Sequence, residues 1–264
     1  MRDLRKLQQR TKCGNNTCVG FIKLFEQHLG TEAVATLPKS FAACDKALKA
    51  EAGVKCLELH GCTNCQRHVF APDDKTSICP DCGVGRYTAD GKPKERVFFF
   101  PMKDRLEKLM SLRRYYNMCQ HEFQRPRNDN YVTDVYDTPA WQKFMGPATF
   151  PIRRIGLQFC VDAIPAFAAG TLSLKPAEFI NLSLPPSERA KSENILLSML
   201  LPANLPKGQP QKKYFDFIAD FELNEMATDG IIQDRIPVKV KIFSTSMDTK
   251  GREELTGTLS VDGA

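Results

Sequence analysis

The stretch RIGLQFCVD, residues 154–162, decides the fold class, because it is an apolar segment that ends on an acidic residue. Its first eight residues have the length and composition of a buried strand, and Asp162 follows directly. An aspartate at the end of a strand is, taken alone, usually a turn or cap residue. Its role therefore depends on the elements that follow in the chain.

Three more strands and one helix are predicted after Asp162. Residues 179–184 and 195–201 are short apolar segments closed by proline, which is typical of strands. Apolar residues at helical spacing then predict a helix over residues 214–226. The alternating sequence PVKVKIF, residues 237–243, predicts another strand, and Asp248 follows it.

This order of elements is that of an RNase H-like fold, in which three antiparallel strands are followed by a helix and a fourth strand beside the first. Such a fold brings Asp162 and Asp248 together as catalytic carboxylates. Two carboxylates can hold a pair of Mg²⁺ or Mn²⁺ ions, which activate an attacking hydroxyl and stabilise the leaving oxygen of a phosphoryl transfer. The sequence therefore predicts an α+β protein containing a mixed sheet and a nuclease-type metal site.

A second constellation consists of two C-x2-C pairs separated by thirteen residues: Cys62, Cys65, Cys79 and Cys82. Each pair presents two thiolates to one ion, and the intervening hairpin brings the pairs together. Four cysteine ligands leave no open coordination position, so the expected ion is a structural zinc. His60 and His68 lie nearby as possible substitutes or supporting donors. The alternative is four unrelated free cysteines.

The remaining segments are less informative. Apolar residues near the amino terminus have helical spacing. Cys13 and Cys18 bracket the turn-like sequence GNNT, and the two cysteines either form half of a metal site or have no chemical role. The basic face of a helix predicted over residues 102–123 is either solvated or contacts phosphate. The predicted division is a helical segment at 1–55, a zinc ribbon at 56–96, a connector helix and linker at 97–150, and a truncated RNase H-like domain at 151–264.

Composition sets broad limits on the class of protein. The chain has 264 residues, of which 42% are hydrophobic, and a formal net charge of +6, which is compatible with an anionic partner. The apolar segments are too short for a membrane span, and the amino terminus does not have the pattern of a secretory signal. Ten cysteines without an export signal favour metal ligands over a disulfide framework.

Several motifs, in colinear order over roughly residues 62–257, resemble the transposases of CACTA-type (En/Spm-like) DNA transposons and related large cut-and-paste elements. The matching blocks are CPDCGVGRY (79–87), FFFPMKDRLEKL (98–109), RRIGLQFCVDAIPAF (153–167), NLSLPPSERAKSENILLSMLLP (181–202) and MDTKGREELTG (247–257). The sequence departs from the family pattern at Ala163, where the family has glycine, and in the loop after Asp248.

The resemblance implies a nuclear DNA transposase of the acidic-triad type that cleaves transposon ends and joins them to target DNA. It implies zinc on the four cysteines, Mg²⁺ or Mn²⁺ on Asp162 and Asp248, DNA as partner, no membrane, and a possible homo-oligomer. Such families also need a third acidic residue, which this chain lacks, so we expect a fragment or decayed copy with little activity. Two alternatives remain. One is a non-catalytic, zinc-dependent DNA- or protein-binding protein, and the other is a scaffold that is stabilised by a bound metal ion and has no nucleic-acid partner.

Overall fold

A computed structural model describes residues 55–65, 67–126, 131–146, 150–162, 164–165, 173–202, 212–233 and 235–246. Residues 1–54 of the predicted helical segment, with Cys13 and Cys18, lie outside the described residues, as does Asp248. Within the part that is described, no helix combines the length and apolar character needed to cross a bilayer.

The structure is an α+β fold built on one mixed sheet. Its nine strands are β1 (Leu57–Gly61), β2 (Val69–Phe70), β3 (Arg96–Phe99), β4 (Arg154–Val161), β5 (Ile164–Pro165), β6 (Ser173–Asn181), β7 (Ile195–Pro202), β8 (Ile231–Gln233) and β9 (Ile236–Ser246). The strand order is β2-β1-β3-β7-β6-β4-β9-β8, and β5 pairs with β6 outside this path. The strands that flank the paired cysteines, β1, β2 and β3, thus join the same sheet as β4.

The helices described are short. They are α1 (Lys103–Ser111), α2 (Arg113–Cys119), α3 (His121–Gln124), α4 (Pro139–Met145), α5 (Pro186–Arg189), α6 (Lys212–Ile218) and α7 (Asn224–Thr228), with 3-10 turns at Val135–Asp137 and Ser192–Asn194. A π-helical turn, Ala219–Leu223, joins α6 to α7. We call this continuous segment, residues 212–228, the crossover helix, because it connects the strands at the two sides of β4.

Pairing around β4 follows the order of elements expected from the sequence. β6 is antiparallel to both β4 and β7, whereas β9 is parallel to β4, with Arg154 opposite Lys239 at one end and Cys160 opposite Ser246 at the other. Most residues of β4 are buried, as expected of a central strand. The crossover helix therefore leads the chain from β7 across the sheet to β8 and β9.

Aromatic side chains hold the crossover helix against one face of the sheet. The ring of Phe99 on β3 lies 5.4 Å from that of Phe217 and 5.1 Å from that of Phe221, both in edge-to-face contact. Phe159 on β4 makes the same kind of contact with Phe215 at 5.0 Å. Offset and edge-to-face aromatic pairs add about 0.5–1.5 kcal/mol beyond the area they bury. These contacts tie β3 and β4, which are separated in the sheet by β7 and β6, to one helix.

Several boundaries differ from those predicted; β6, for example, begins at Ser173 rather than at residue 179. The strand predicted at residues 179–184 ends at Asn181, because the Asn181 side chain accepts a hydrogen bond from the backbone N–H of Ser183 at 2.9 Å and turns the chain. The helix predicted over residues 102–123 divides into three, with an extended residue at Leu112 and a second break at Gln120. The Gln120 side chain accepts a hydrogen bond from the backbone N–H of Ile152 at 2.9 Å.

Glu222, in the π-helical turn, places a buried carboxylate at the start of α1. One of its oxygens accepts hydrogen bonds from the backbone N–H groups of Met102, at 2.6 Å, and Lys103, at 3.0 Å. Burial nevertheless raises the pKa of Glu222 from 4.5 to about 6, because these donors do not fully replace water. The charged carboxylate is therefore less stable in the folded protein than in the unfolded chain.

This raised pKa predicts a pH dependence with a definite sign. A group whose pKa is higher when folded contributes stability below its unfolded pKa, and loses it as the pH rises through the folded pKa. The contribution of Glu222 should thus fall by about 2 kcal/mol between pH 4.5 and pH 7. Urea unfolding of wild type and Glu222→Gln across this range measures it. A stability difference between the two proteins that does not change with pH would contradict the prediction.

Gly156 on β4 is required by a close approach of the only tryptophan. A Cβ at position 156 would lie 2.5 Å from Cη2 of Trp141, whose side chain is fully buried on α4. Gly156→Ala should therefore destabilise the protein by about 1–3 kcal/mol through overpacking. Gly85→Ala is the control, because the nearest atom to its Cβ is 4.0 Å away and no positive φ is needed there. Chemical denaturation gives both values, and equal losses would contradict the packing argument.

Candidate metal centre and the ends of the central strands

Four cysteine sulfurs converge between β1, β2 and β3. The Sγ atoms of Cys62, Cys65, Cys79 and Cys82 all lie within 4.8 Å of one another. Cys62 and Cys82 are 3.5 Å apart, and Cys65 and Cys79 are 3.6 Å apart. Tetrahedral ligands at the usual zinc–sulfur distance of about 2.3 Å would be separated by about 3.8 Å. The cluster is therefore the right size to hold a metal ion such as zinc, and too open for disulfides.

Backbone hydrogen bonds shape the two turns that present these sulfurs. The N–H of Cys62 donates to the carbonyl of His68 at 3.0 Å, which closes the first turn onto β2. In the second turn the N–H of Cys79 donates to Val84 and that of Gly83 donates to Cys79, both at 2.9 Å. Gly83 adopts a φ of 71°, a left-handed conformation that glycine adopts without steric cost. The C-x2-C-G pattern thus encodes the turn as well as the ligands.

The thiols differ in how readily they lose a proton. Burial raises the pKa of Cys79 to about 12. The N–H of Val84 and the side chain of Asn64 lower the pKa of Cys82 to about 6. Burial also acts to raise the pKa of Cys65, but donors including the N–H groups of Arg67 and His68 outweigh it, so the net shift is downward. Part of the set is already stabilised as thiolate, the form that binds metals.

The two nearby histidines do not act as ligands in this arrangement. The ring of His60 is held on both sides: Nδ1 accepts from Nε of Arg86 at 2.7 Å, and Nε2 contacts Glu58 at 2.9 Å. The ring of His68 packs edge-on against Phe70, with centroids 4.6 Å apart. Their role is to support the hairpin, as second-sphere residues often do.

The first turn of the crossover helix also touches the cysteine cluster, and sequence analysis does not predict this contact. The ammonium of Lys213 donates to the carbonyl oxygen of Cys62 at 3.3 Å and to Glu95 at 3.1 Å. The hydroxyl of Tyr214 bonds to the same carboxylate oxygen of Glu95. Lys213 is 151 positions from Cys62, and no local pattern in the sequence links residues so far apart.

Of the two predicted catalytic aspartates, the structure describes one. Asp162 follows β4 directly and is exposed, at the end of the strand where β4 and β9 lie side by side. Asp248 lies outside the described residues, two positions beyond the last residue of β9. The observed geometry therefore gives the parallel pairing of the two strands, while the meeting of the two carboxylates stays a prediction.

The cysteine cluster is the one group of three or more potential metal ligands found within the described ranges. Its closed set of four sulfurs fits an ion that stabilises structure rather than one that takes part in catalysis. Comparison of the chain with protein-family models, curated proteins and solved structures gives no match. The likeness to CACTA-type transposases therefore rests on the sequence motifs alone.

Proposed function

We propose that this chain is part of a DNA transposase, in which a zinc-stabilised hairpin is joined to an RNase H-like domain that carries out metal-dependent DNA strand cleavage and strand transfer. The observation that supports this most is the parallel pairing of β4 with β9 after a crossover helix. The order β7-β6-β4-β9, with only the last pair parallel, is the arrangement expected of such a domain.

The register of β4 and β9 supports a shared carboxylate site. Cys160 pairs with Ser246, and in the sequence Asp162 and Asp248 each come two residues later. Adjacent parallel strands bring their carboxyl ends to the same edge of a sheet, which is where carboxylates can bridge two divalent cations. Asp162 and Asp248 would hold Mg²⁺ or Mn²⁺ there, and such an ion would supply activation of a hydroxyl and stabilisation of the leaving oxygen of a phosphodiester.

The proposed partners and compartment follow from the resemblance of the sequence motifs to CACTA-type transposases. The substrates are transposon-end and target DNA, the compartment is the nucleus, and the working form is a possible homo-oligomer. The formal charge of +6 is in the direction that DNA binding requires. The third acidic ligand that the reaction needs has no counterpart identified in this sequence, so we expect little cleavage from the 264 residues alone.

The experiment that tests the proposal is Mn²⁺ titration of isotopically labelled protein, followed by NMR line broadening. In wild type we expect the amide signals around Val161 and Asp162 to broaden first, because the paramagnetic ion would bind at this edge of the sheet. Asp162→Asn should weaken this binding by at least about tenfold, the equivalent of 1.4 kcal/mol. Asp216→Asn is the matched control, since Asp216 is an exposed carboxylate on α6 that pairs with Lys212.

Equal Mn²⁺ affinity in wild type and Asp162→Asn would remove Asp162 from the proposed site. The second candidate function, a non-catalytic zinc-dependent binding protein, is supported by the closed set of four cysteine sulfurs, which fits a structural ion rather than a catalytic one. Retention of DNA without Mn²⁺ binding at Asp162 would support that candidate. Failure to retain DNA on a filter even at low ionic strength would support a scaffold role instead.

A further inference from the structure

The contact between the crossover helix and the cysteine cluster is closely packed around Gly61. A Cβ at position 61 would overlap the Glu95 carboxylate and the Tyr214 hydroxyl, so glycine is needed for these groups to approach the backbone next to Cys62. We call the five residues Gly61, Cys62, Glu95, Lys213 and Tyr214 the clasp. It joins the strands of the cysteine hairpin to the first turn of α6.

The clasp contains a buried ion pair between Lys213 and Glu95. The Lys213 side chain is 1% exposed and that of Glu95 is 11% exposed, so the ion pair has little access to water. A buried ammonium is tolerated only when its donors are satisfied, and here the acceptors are Glu95 and the carbonyl of Cys62. Cys62 is also a potential metal ligand, so a metal that held the cysteine turn would also fix the position of this carbonyl.

Charge balance gives a second reason to expect that metal binding and the Lys213 contact depend on each other. Four thiolates around a divalent ion carry a net charge of −2, and a positive group beside the cluster offsets part of it. Lys213 places its ammonium at the backbone of Cys62, where its pairing with Glu95 leaves it to act on the cluster as one end of an ion pair rather than as a full charge. Metal binding and insertion of the Lys213 ammonium should therefore favour one another.

The rest of the crossover helix connects the first turn of α6 to parts of the fold that lie away from the cysteine hairpin. Its middle packs on Phe99 through Phe217 and Phe221, and Glu222 bonds to the start of α1. The chain then turns through Gly230 into β8 and β9. Displacement of the first turn of α6 would therefore affect the segment that leads into β9, the parallel partner of β4.

We propose that the clasp couples metal occupancy of the cysteine cluster to docking of the crossover helix: the metal-bound hairpin holds the first turn of α6 in place, and metal loss releases it. The inference rests on the proposed binding of zinc by the cluster. By thermodynamic linkage, the factor by which zinc suppresses opening of the helix equals the factor by which opening weakens zinc binding.

Hydrogen exchange followed by mass spectrometry tests the coupling on the whole chain, with Zn²⁺ as the only added metal. Zinc-loaded protein should exchange at least about tenfold more slowly than chelator-treated protein in peptides from residues 213–223. Peptides from β4 and β6 should change much less. Equal exchange at 213–223 in the two states, with zinc shown to bind, would overturn the clasp and leave zinc binding itself intact. Failure to bind zinc would instead overturn the metal assignment on which it rests.

Variants separate the clasp from a general loss of stability. Lys213→Met should abolish the zinc dependence of exchange at residues 214–218 and weaken zinc affinity by the same factor by which zinc protected the helix. Lys212→Met is the matched control, because Lys212 is adjacent, exposed and paired with Asp216 on its own helix. If Lys213→Met does not fold, Glu95→Gln provides the same test from the opposite side of the pair. Full zinc protection in the folded Lys213→Met or Glu95→Gln variant would overturn the proposal.

Discussion

Replacing Cys79 with serine is expected to abolish zinc retention and to lower the free energy of unfolding by more than about 3 kcal/mol. Cys79 is buried, and its sulfur is 3.6 Å from that of Cys65, so a serine hydroxyl cannot take its place as a soft, charged ligand. Structural zinc contributes about 10–16 kcal/mol in zinc-finger peptides, and this chain retains a separate core that keeps part of its stability. Metal analysis and urea unfolding at fixed free zinc measure the two effects.

Cys160→Ser is the control for this substitution, because Cys160 is a half-buried thiol on β4 outside the cluster. It should keep about one zinc per molecule. Zinc affinity should also fall as the pH is lowered, since protons compete with the ion for thiolates such as that of Cys82, whose pKa is about 6. A zinc content unchanged by Cys79→Ser, or absent from wild type, would contradict the metal assignment.

Removing the negative charge of Glu122 is expected to lower the free energy of unfolding by about 3–5 kcal/mol. Glu122 on α3 accepts a hydrogen bond from Nη2 of Arg154 at 2.9 Å, and the two side chains are 5% and 8% exposed. Glu122→Gln would leave the Arg154 guanidinium charged and buried without a counter-ion. Thermal or urea unfolding of the single variant gives the cost directly.

The double variant Glu122→Leu/Arg154→Met isolates the electrostatic part of this cost. Replacing both members of a buried pair with apolar residues is often neutral or stabilising, so the double variant should be more stable than Glu122→Gln. Asp104→Ala is the exposed control, because Asp104 and Lys55 form an ion pair with 48% and 66% of their side chains exposed, and it should change stability by less than about 1 kcal/mol. A double variant less stable than Glu122→Gln would show that packing, rather than charge, dominates at this site.

The sequence predicts the order of the main elements because their patterns are local. The apolar run of β4, the alternation of β9 and the helical spacing of the crossover helix each appear within a short window. The cysteine spacing likewise predicts the cluster, since two C-x2-C pairs have few other uses. These are the parts of the fold and site in which neighbouring residues carry the information.

Contacts between distant segments could not be predicted in this way. The division of the predicted helix at Gln120 depends on a bond to Ile152, and the clasp depends on Lys213 meeting Cys62 and Glu95. Nothing near Lys213 in the sequence distinguishes it from the exposed Lys212 beside it. Strand β1, which ends at Gly61, is also absent from the elements that the sequence predicts.

The placement of β3 in the sheet has a consequence for how the chain is made. β3 pairs with β7 through two residue pairs, Phe98 with Leu200 and Phe99 with Met199, which are about a hundred positions apart. At translation rates of about 5–20 residues per second, roughly 5–20 s pass before β7 emerges to meet β3. During that interval the open edge of β3 is a site for aggregation on the ribosome. Zinc binding at the cysteine cluster would order the nascent hairpin early, but it would leave the edge of β3 that faces β7 open until β7 emerges.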